Sequence, residues 1–334
     1  MSRPLSILAA LTPREMNGFL PEPLLSRVRT LADRFDHLDT ATLPASDFHR
    51  HLNEQNPEIL LTCWKTPPLP AKLPPRLRYA CHLAGSVKKI VARAHLENGL
   101  IVTNWGGSIS RTVAECALFH LLSGLRRATF WTLAMHREGS WREEDAKTAS
   151  LFGRRVGIHG FGRVARELIA LLRPFGCRVS VFAPDTDSGT EAGFGIKCAA
   201  SLDDLFRENE IIVELAPLIP ATNGIVTERL LHLIPSGGVF VNVGRGAVVD
   251  EAALLRVARE GKIAVGLDVF TIEPLPADSG FRGLSNVTLT PHIAGPTSDR
   301  YRDAGEFAVE NLNAYARGGP MKATLSVQTY DSST

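Results

Sequence analysis

Cysteine is scarce and scattered. The chain has five, Cys63, Cys81, Cys116, Cys177 and Cys198, an odd number with no close-spaced pair. Zinc ribbons, CxxC redox centres and disulfide-stapled secreted domains all need closely or regularly spaced cysteines. The pattern argues against all three, with no metal expected, and fits reduced thiols in a cytoplasmic protein, each a small core residue. Also missing is an apolar run long enough to span a bilayer, so no membrane partner is expected. Excess charge of one sign is missing too: Lys+Arg 37 against Asp+Glu 35 leaves +2. A dedicated nucleic-acid binder carries a basic surplus, and the pairs Arg126-Arg127 and Arg154-Arg155 read as solvated surface. There is no low-complexity segment and no short repeat.

What remains is ordinary globular composition, 44% hydrophobic and 22% charged, which excludes intrinsic disorder and a collagen-like fibre. The 334 residues leave room for two domains. The apolar start, broken by Pro4 and Ser6, is too short for a secretion signal and reads as a first buried strand.

Apolar runs alternate with helical spacing along the chain. Strands are expected at Leu5–Leu11, Ile59–Thr62, Arg78–His82 and Ile101–Thr103, with a helix over Leu24–Phe35. A proline-rich surface loop follows at Pro67 to Pro75. One long helix is expected from about Arg111 to Arg137, then a polar loop over Glu138–Ser150. A second series follows, with strands at Arg155–His159, Val179–Phe182, Ile211–Leu215, Val239–Asn242, Val265–Asp268 and Val287–Leu289. Helices are expected at Arg163–Leu172, Leu202–Glu208, Glu228–Leu233, Glu251–Glu260 and Ser298–Arg317. Strict strand–helix alternation implies an α/β fold with parallel sheets covered on both faces, and six strands in the second series match a dinucleotide-binding sheet. The polar tail from Thr324 reads as frayed.

Gly160, Gly162 and Ala165 form a G-x-G-x-x-A pattern between an apolar strand and an amphipathic helix. Gly160 permits the tight turn, Gly162 lets the backbone approach a pyrophosphate, and Ala165 allows close helix–strand packing. The anion would rest on the N-terminal amides of the helix. His159, inside the strand, reads as a packed core histidine. The next strand should end in a carboxylate for the adenosine ribose, but Ala183 stands there and Asp185 follows two residues later. No Lys or Arg occurs between Val179 and Ile196 to meet a 2′-phosphate. NAD is therefore favoured, with NADP open.

Three strand ends carry chemistry: Arg245 after Val239–Asn242, Asp268 and Glu273 after the next strand, and His292 after the last. In an open parallel sheet these ends face the ligand crevice. Arg245 can grip a carboxylate with two hydrogen bonds and polarise the adjacent carbonyl. His292 can exchange a proton with the carbonyl or hydroxyl oxygen, and Glu273 can fix its tautomer and stabilise imidazolium. Each alone is an unremarkable loop residue. Their joint placement beside a dinucleotide fold points to hydride-transfer chemistry.

Thr112-Val113-Ala114-Glu115, Gly157 to Ala165, Pro174-Phe175-Gly176, Asn242 to Asp250, Asp268 to Pro274 and Thr290 to Gly295 together resemble the D-2-hydroxyacid dehydrogenases, the NAD-dependent group of phosphoglycerate dehydrogenase and glyoxylate/hydroxypyruvate reductases. The resemblance runs from about Arg78 to Arg317. It implies two Rossmann-like domains with parallel sheets. A discontinuous, flavodoxin-like substrate domain would take residues 1–104 and 296–334, and the NAD-binding domain 105–295. It implies catalytic roles for Arg245, Glu273 and His292, and substrate binding by the backbone of Ala84-Gly85-Ser86-Val87. Cofactor contacts would fall at Thr112, Gly160, Gly162, Arg163, Val164, Ala183, Asp185, Pro217, Thr222, Val243, Gly244, Asp268 and Ala294. It also implies a homodimer through the 111–137 helix, acting on a small 2-keto or 2-hydroxy acid.

Departures are Ala165, Ala183, Leu215 where a histidine is common, and Trp105, which either narrows the substrate pocket or simply packs. Glutamate rather than glutamine at Glu273 disfavours a formate dehydrogenase. A phosphite-type dehydrogenase and a non-enzymatic NAD(H)-sensing binding protein remain alternatives on the same scaffold.

Overall fold

A strand that re-enters a sheet after a helical crossover runs parallel to its predecessor. Most connections in both sheets of this chain are of that kind. The pairs Ile59–Thr62 with Tyr79–His82 and Ala264–Leu267 with Val287–Leu289, joined by long loops without a helix, are parallel as well. The computed structural model describes residues 5–141, 147–184 and 186–332. It divides into two compact units, Met1–Ile109 with Pro296–Thr334, and Ser110–Gly295.

The first unit begins β1 (Ser6–Ala10), α1 (Pro13–Phe19), α2 (Leu24–Leu31), β2 (Arg34–Leu38), α3 (Ala45–Gln55) and β3 (Ile59–Thr62). It continues with β4 (Tyr79–His82), α4 (Arg93–Glu97) and β5 (Ile101–Thr103). Its sheet has the order β2-β1-β3-β4-β5, with every pair parallel. β3 and β4 are buried at every position, as continuous apolar runs covered on both faces must be.

The second unit opens with α5 (Ser110–Arg126) and α6 (Ala128–Leu133), then β6 (Arg155–His159), α7 (Arg163–Leu172), β7 (Arg178–Phe182), α8 (Ser188–Phe194) and β8 (Lys197–Cys198). It goes on through α9 (Leu202–Glu208), β9 (Ile211–Glu214), α10 (Glu228–Leu231), β10 (Val239–Asn242), α11 (Glu251–Arg259), β11 (Ala264–Leu267) and β12 (Val287–Leu289). The strand order is β12-β11-β10-β9-β6-β7-β8, again all parallel. The order reverses at β6. α7 shows why these elements form: Ala165, Leu168, Ile169 and Leu172 recur at helical spacing and are all buried. Burying each large apolar side chain contributes roughly 1.5–3 kcal/mol.

The chain then returns to the first unit as α12 (Tyr301–Ala316) and α13 (Val327–Ser332). α12 packs on α1 and α2. Gly305 sits so close to α1 that a Cβ there would overlap the Phe19 carbonyl.

Four expectations need correction. The helix over Leu24–Phe35 stops at Leu31, because Ala32 turns extended and Asp33 and Arg34 donate to the Leu5 carbonyl, starting the β2 ladder. The single helix over 111–137 breaks at Arg127, whose φ is +52 and whose guanidinium lies 4.1 Å from the Phe130 ring centre. It resumes as α6 and a π turn at Ala134–Glu138. The second sheet has seven strands, since β8 adds a short edge. The tail is docked: Leu325 N–H donates to the Val102 carbonyl at 2.8 Å, and the Tyr330 hydroxyl donates to that of Val91 at 2.9 Å. Part of the expected polar loop, 142–146, lies outside the described residues.

Candidate active site

The glycine turn follows β6, where the sheet order reverses, and ligands of open α/β sheets bind at that switch point. Gly160 has φ +96 and a Cβ there would come within 2.8 Å of the Ala216 nitrogen, so no other residue fits. Gly162, the residue preceding α7, faces open space: an added Cβ meets nothing within 4 Å. α9 and α11 are capped by the side chains of Ser201 and Asp250. α7 has no side-chain cap and no acid in its first turn, while Arg163 is exposed and Val164 half-buried. Uncapped amides, a glycine wall and an arginine fit a pyrophosphate.

Around this turn, Ala183 follows β7 and is half-buried; its carbonyl accepts from the Thr186 hydroxyl at 2.8 Å. Asp185 lies outside the described residues. Beyond β9, the Thr222 hydroxyl donates to the Pro217 carbonyl at 2.5 Å and closes that loop. Thr112 sits in the first turn of α5, half-buried. His159 is buried, as expected of a core residue, but it is also paired: its Nδ1 lies 2.6 Å from Glu214 Oε2, and Glu214 Oε1 accepts from Ala216 N–H at 2.7 Å. The pair ties β6 to the loop after β9. Glu214 was not anticipated, since a buried acid inside an apolar strand gives no periodic signal.

The other three chemical residues follow β10, β11 and β12, which are neighbours in the sheet. Asn242 shapes the first strand end: its amide donates to the Arg245 carbonyl at 3.1 Å, and its oxygen accepts from Gly244 N–H at 3.0 Å. Val243 is buried beneath. Arg245 donates one bond, from Nη1 to the Gly244 carbonyl at 2.7 Å, and faces no carboxylate within ion-pair distance among the described residues. Burial pulls its pKa below the usual arginine range and Glu273 opposes that; a guanidinium stays charged regardless. Most of its donors are therefore available to an anion.

His292 is held in a strained turn. It has φ +53, a left-handed conformation that costs a non-glycine residue about 1–3 kcal/mol. The fully buried Asp268 supplies the offset. Its Oδ1 accepts from the Thr290 hydroxyl at 2.6 Å and Ile293 N–H at 2.9 Å, its Oδ2 accepts from Ala294 N–H at 2.9 Å, and its carbonyl accepts from His292 N–H at 2.8 Å. Such charge-assisted bonds contribute about 1.5–3 kcal/mol each. The expected cofactor position Asp268 thus also builds the histidine's turn. His292 Nδ1 lies 2.7 Å from Glu273 Oε2, and Glu273 Oε1 accepts from Phe270 N–H at 3.0 Å. A carboxylate only accepts, so Nδ1 carries hydrogen and Nε2 is left for substrate.

Behind this turn lies a group that periodicity hid. Cys116 and His120 share one face of α5, four residues apart, and with Asp268 bring one donor atom each within 4.8 Å. Asp268 already accepts three bonds, and burial pushes the Cys116 thiol up to about 12. Burial also pushes His120 down to about 4, so it is neutral and its Nε2–H donates to Thr290 at 2.8 Å. The chain His120–Thr290–Asp268 supports the turn.

In the first unit, the loop after β4 has an unusual backbone. The carbonyls of Ala84 and Gly85 accept from Trp105 N–H at 3.1 Å and the Asn104 amide at 2.8 Å. The N–H groups of Ala84, Gly85, Ser86 and Val87 reach no acceptor among the described residues, although Ala84 and Val87 are buried. Four adjacent backbone donors are thus left without partners among the described residues, the kind of run that can serve as an anion cradle.

Residues 118–294, just over half the chain, match the family model described as "D-isomer specific 2-hydroxyacid dehydrogenase, NAD binding domain". A glyoxylate/hydroxypyruvate reductase of Arabidopsis thaliana is 30% identical over 313 residues, 92% of this chain and 94% of that protein. A D-3-phosphoglycerate dehydrogenase of Methanocaldococcus jannaschii is 30% identical over 233 residues, 70% of this chain but 44% of that longer protein. Among solved structures, a D-isomer specific 2-hydroxyacid dehydrogenase from Xanthobacter autotrophicus, in complex with NADPH and MES, is similar with a TM-score of 0.74 at 26% identity. That match covers 98% of this chain and all of the other. The chain belongs to the D-isomer-specific 2-hydroxyacid dehydrogenases, NAD(P)-dependent oxidoreductases acting on CH–OH groups.

Proposed function

We propose that this protein interconverts a 2-keto acid and its D-2-hydroxy acid, with Arg245 holding the carboxylate and His292, paired with Glu273, moving the proton. The observation that carries the reading is the 2.7 Å contact that commits His292 Nδ1 to Glu273 and leaves Nε2 to substrate. Bound nicotinamide supplies the hydride in reduction and accepts it in oxidation. In reduction, His292 as imidazolium gives its Nε2 proton to the carbonyl oxygen as C2 takes the hydride. In oxidation, neutral Nε2 takes the hydroxyl proton. Glu273 keeps Nδ1 protonated in both directions. Arg245 orients the carboxylate and draws charge towards the reacting carbonyl oxygen. Within the first unit, the N–H groups of Ala84 to Val87 are the substrate-binding donors in this reading.

The uncapped start of α7, at Gly162, Arg163 and Val164, receives the pyrophosphate. Thr112, Ala183, Pro217, Thr222, Val243, Gly244, Asp268 and Ala294 complete the cofactor contacts. The stretch from Val179 to Ile196 holds no cation for a 2′-phosphate, which favours NAD over NADP. The second unit, Ser110–Gly295, serves as the dinucleotide domain and the first as the substrate domain, which moves the expected boundary from 104/105 to 109/110. A second copy covers α5 and the π turn after α6, where Phe119 and Met135 are about half exposed, giving a homodimer.

The test is a panel of 2-keto acids assayed with NADH and NADPH. Turnover with NADH preferred is expected. Tight dinucleotide binding with no turnover of any keto acid would refute the proposal and favour a sensing role.

A further inference from the structure

Exposed tryptophan is costly to leave in water, and Trp64, which follows β3, is 50% exposed. It belongs to an aromatic group confined to the first unit. Its ring centre lies 5.4 Å from Phe19, 6.0 Å from Tyr301 and 6.1 Å from Trp105, and Phe19 and Tyr301 meet at 4.9 Å. These rings do not close on one another. Phe19, Trp64 and Tyr301 line a cavity of about 490 Å³ that also carries Arg14, Glu15 and Lys65. That is ample for a drug-sized ligand and far more than glyoxylate needs.

Polar groups on the cavity are unevenly engaged. Glu15 is committed: Oε2 accepts from Thr12 N–H at 2.8 Å and from its hydroxyl at 3.0 Å, and Oε1 accepts from Lys65 N–H at 3.1 Å. Arg14 and Lys65 are exposed and form no ion pair among the described residues. The cavity thus has aromatic walls and a cationic rim.

Trp105 connects this cavity to the anion cradle. Its indole covers Gly85 so closely that a Cβ there would lie 2.9 Å from the ring, and its other neighbour is Trp64, nearly perpendicular at 82°. A 2-keto acid whose carboxylate rests on the Ala84–Val87 amides has its side chain one indole away from Trp64.

We propose that Trp64, with Phe19, Trp105 and Tyr301, forms the substrate side-chain subsite, and that it selects 2-keto acids bearing an aromatic ring. Edge-to-face packing suits a further ring, and the half-exposed Trp64 has surface left to meet one. A polar acceptor on the far side of that ring is favoured by Arg14 and Lys65. This inference rests on the 2-keto acid reading above.

The experiment compares kcat/KM for phenylpyruvate and for glyoxylate in the whole protein and in Trp64→Ala and Trp64→Phe. The expected result is a preference for phenylpyruvate of at least about tenfold, the scale of one well-packed aromatic contact. The phenylpyruvate-to-glyoxylate ratio should fall about tenfold in Trp64→Ala, mostly through KM, and largely recover in Trp64→Phe. A preference for glyoxylate, or a ratio untouched by Trp64→Ala, overturns the subsite. Should no keto acid be reduced, the catalytic reading fails instead. Calorimetric binding of phenylpyruvate then decides the subsite alone: Trp64-dependent binding supports it, and binding that is absent or indifferent to Trp64→Ala overturns it.

Discussion

Replacing Glu273 with glutamine changes one atom and, in this site, sets two demands against each other. Glu273 accepts from two donors, Phe270 N–H at 3.0 Å and His292 Nδ1–H at 2.7 Å. A glutamine has one acceptor oxygen and one NH2. The Phe270 N–H is fixed by the backbone and always donates, so the oxygen turns to it and the NH2 faces Nδ1. Nδ1 must then accept, the hydrogen moves to Nε2, and neutral His292 can no longer take a hydroxyl proton there. The lost charge-assisted bond is worth about 1.5–3 kcal/mol. The pair is nearly half exposed, which places the effect at the lower end, about tenfold in rate and at most about a hundredfold. Glu273→Ala imposes no tautomer, since water can serve either nitrogen. Its oxidation rate should lie between those of the native protein and Glu273→Gln. Steady-state oxidation of the D-2-hydroxy acid measures all three. Glu273→Gln within twofold of the native rate, or clearly faster than Glu273→Ala, would refute the tautomer argument.

Other consequences follow from the same geometry. Gly162→Asp should leave thermal stability unchanged or slightly higher, because a Cβ meets nothing there and the new side chain caps α7. It should weaken dinucleotide binding at least tenfold by opposing the pyrophosphate. Gly160→Ala should instead cost about 1–3 kcal/mol in urea unfolding, since φ is +96 and the Ala216 nitrogen is 2.8 Å away. His82 and His120 are both held down to about 4 by burial. Below about pH 6.5 the unfolded chain takes up protons that the folded one refuses, so their stabilisation is complete above that pH and is lost as pH falls towards 4. The slope is about 1.4 kcal/mol per pH unit per histidine; His120→Gln should remove one histidine's share, and an unchanged slope would contradict the assignment. Phe119→Arg should shift the protein from dimer to monomer in sedimentation velocity; a native protein already monomeric would exclude the dimer.

The strands were legible where burial on both faces left uninterrupted apolar runs, as in β3, β6 and β10. β2 was not, because Arg34–Leu38 is an edge strand with no fully buried residue and Phe35 also fits the spacing of α2. Nor was the break at Arg127, which has neither glycine nor proline to mark it. The tail looked polar because its anchors are one leucine and one tyrosine. In the site, strand ends made Arg245, Glu273 and His292 visible, since chemistry-bearing residues there have few structural reasons to exist. His120 and Glu214 stayed hidden because each sits among apolar neighbours and acts through partners distant in sequence: Thr290 is 170 residues from His120, and His159 is 55 from Glu214. The aromatic subsite draws on four separate segments, and sequence spacing alone does not join them.

The central claim is that His292 moves the proton while the α7 turn binds the cofactor independently. The most direct measurement pairs two readouts on His292→Ala: kcat for 2-keto acid reduction, and the NADH dissociation constant from fluorescence titration. The account predicts a loss of kcat by about 10²–10⁴-fold with the dissociation constant within about threefold of native. Turnover close to native, with NADH bound normally, would contradict it.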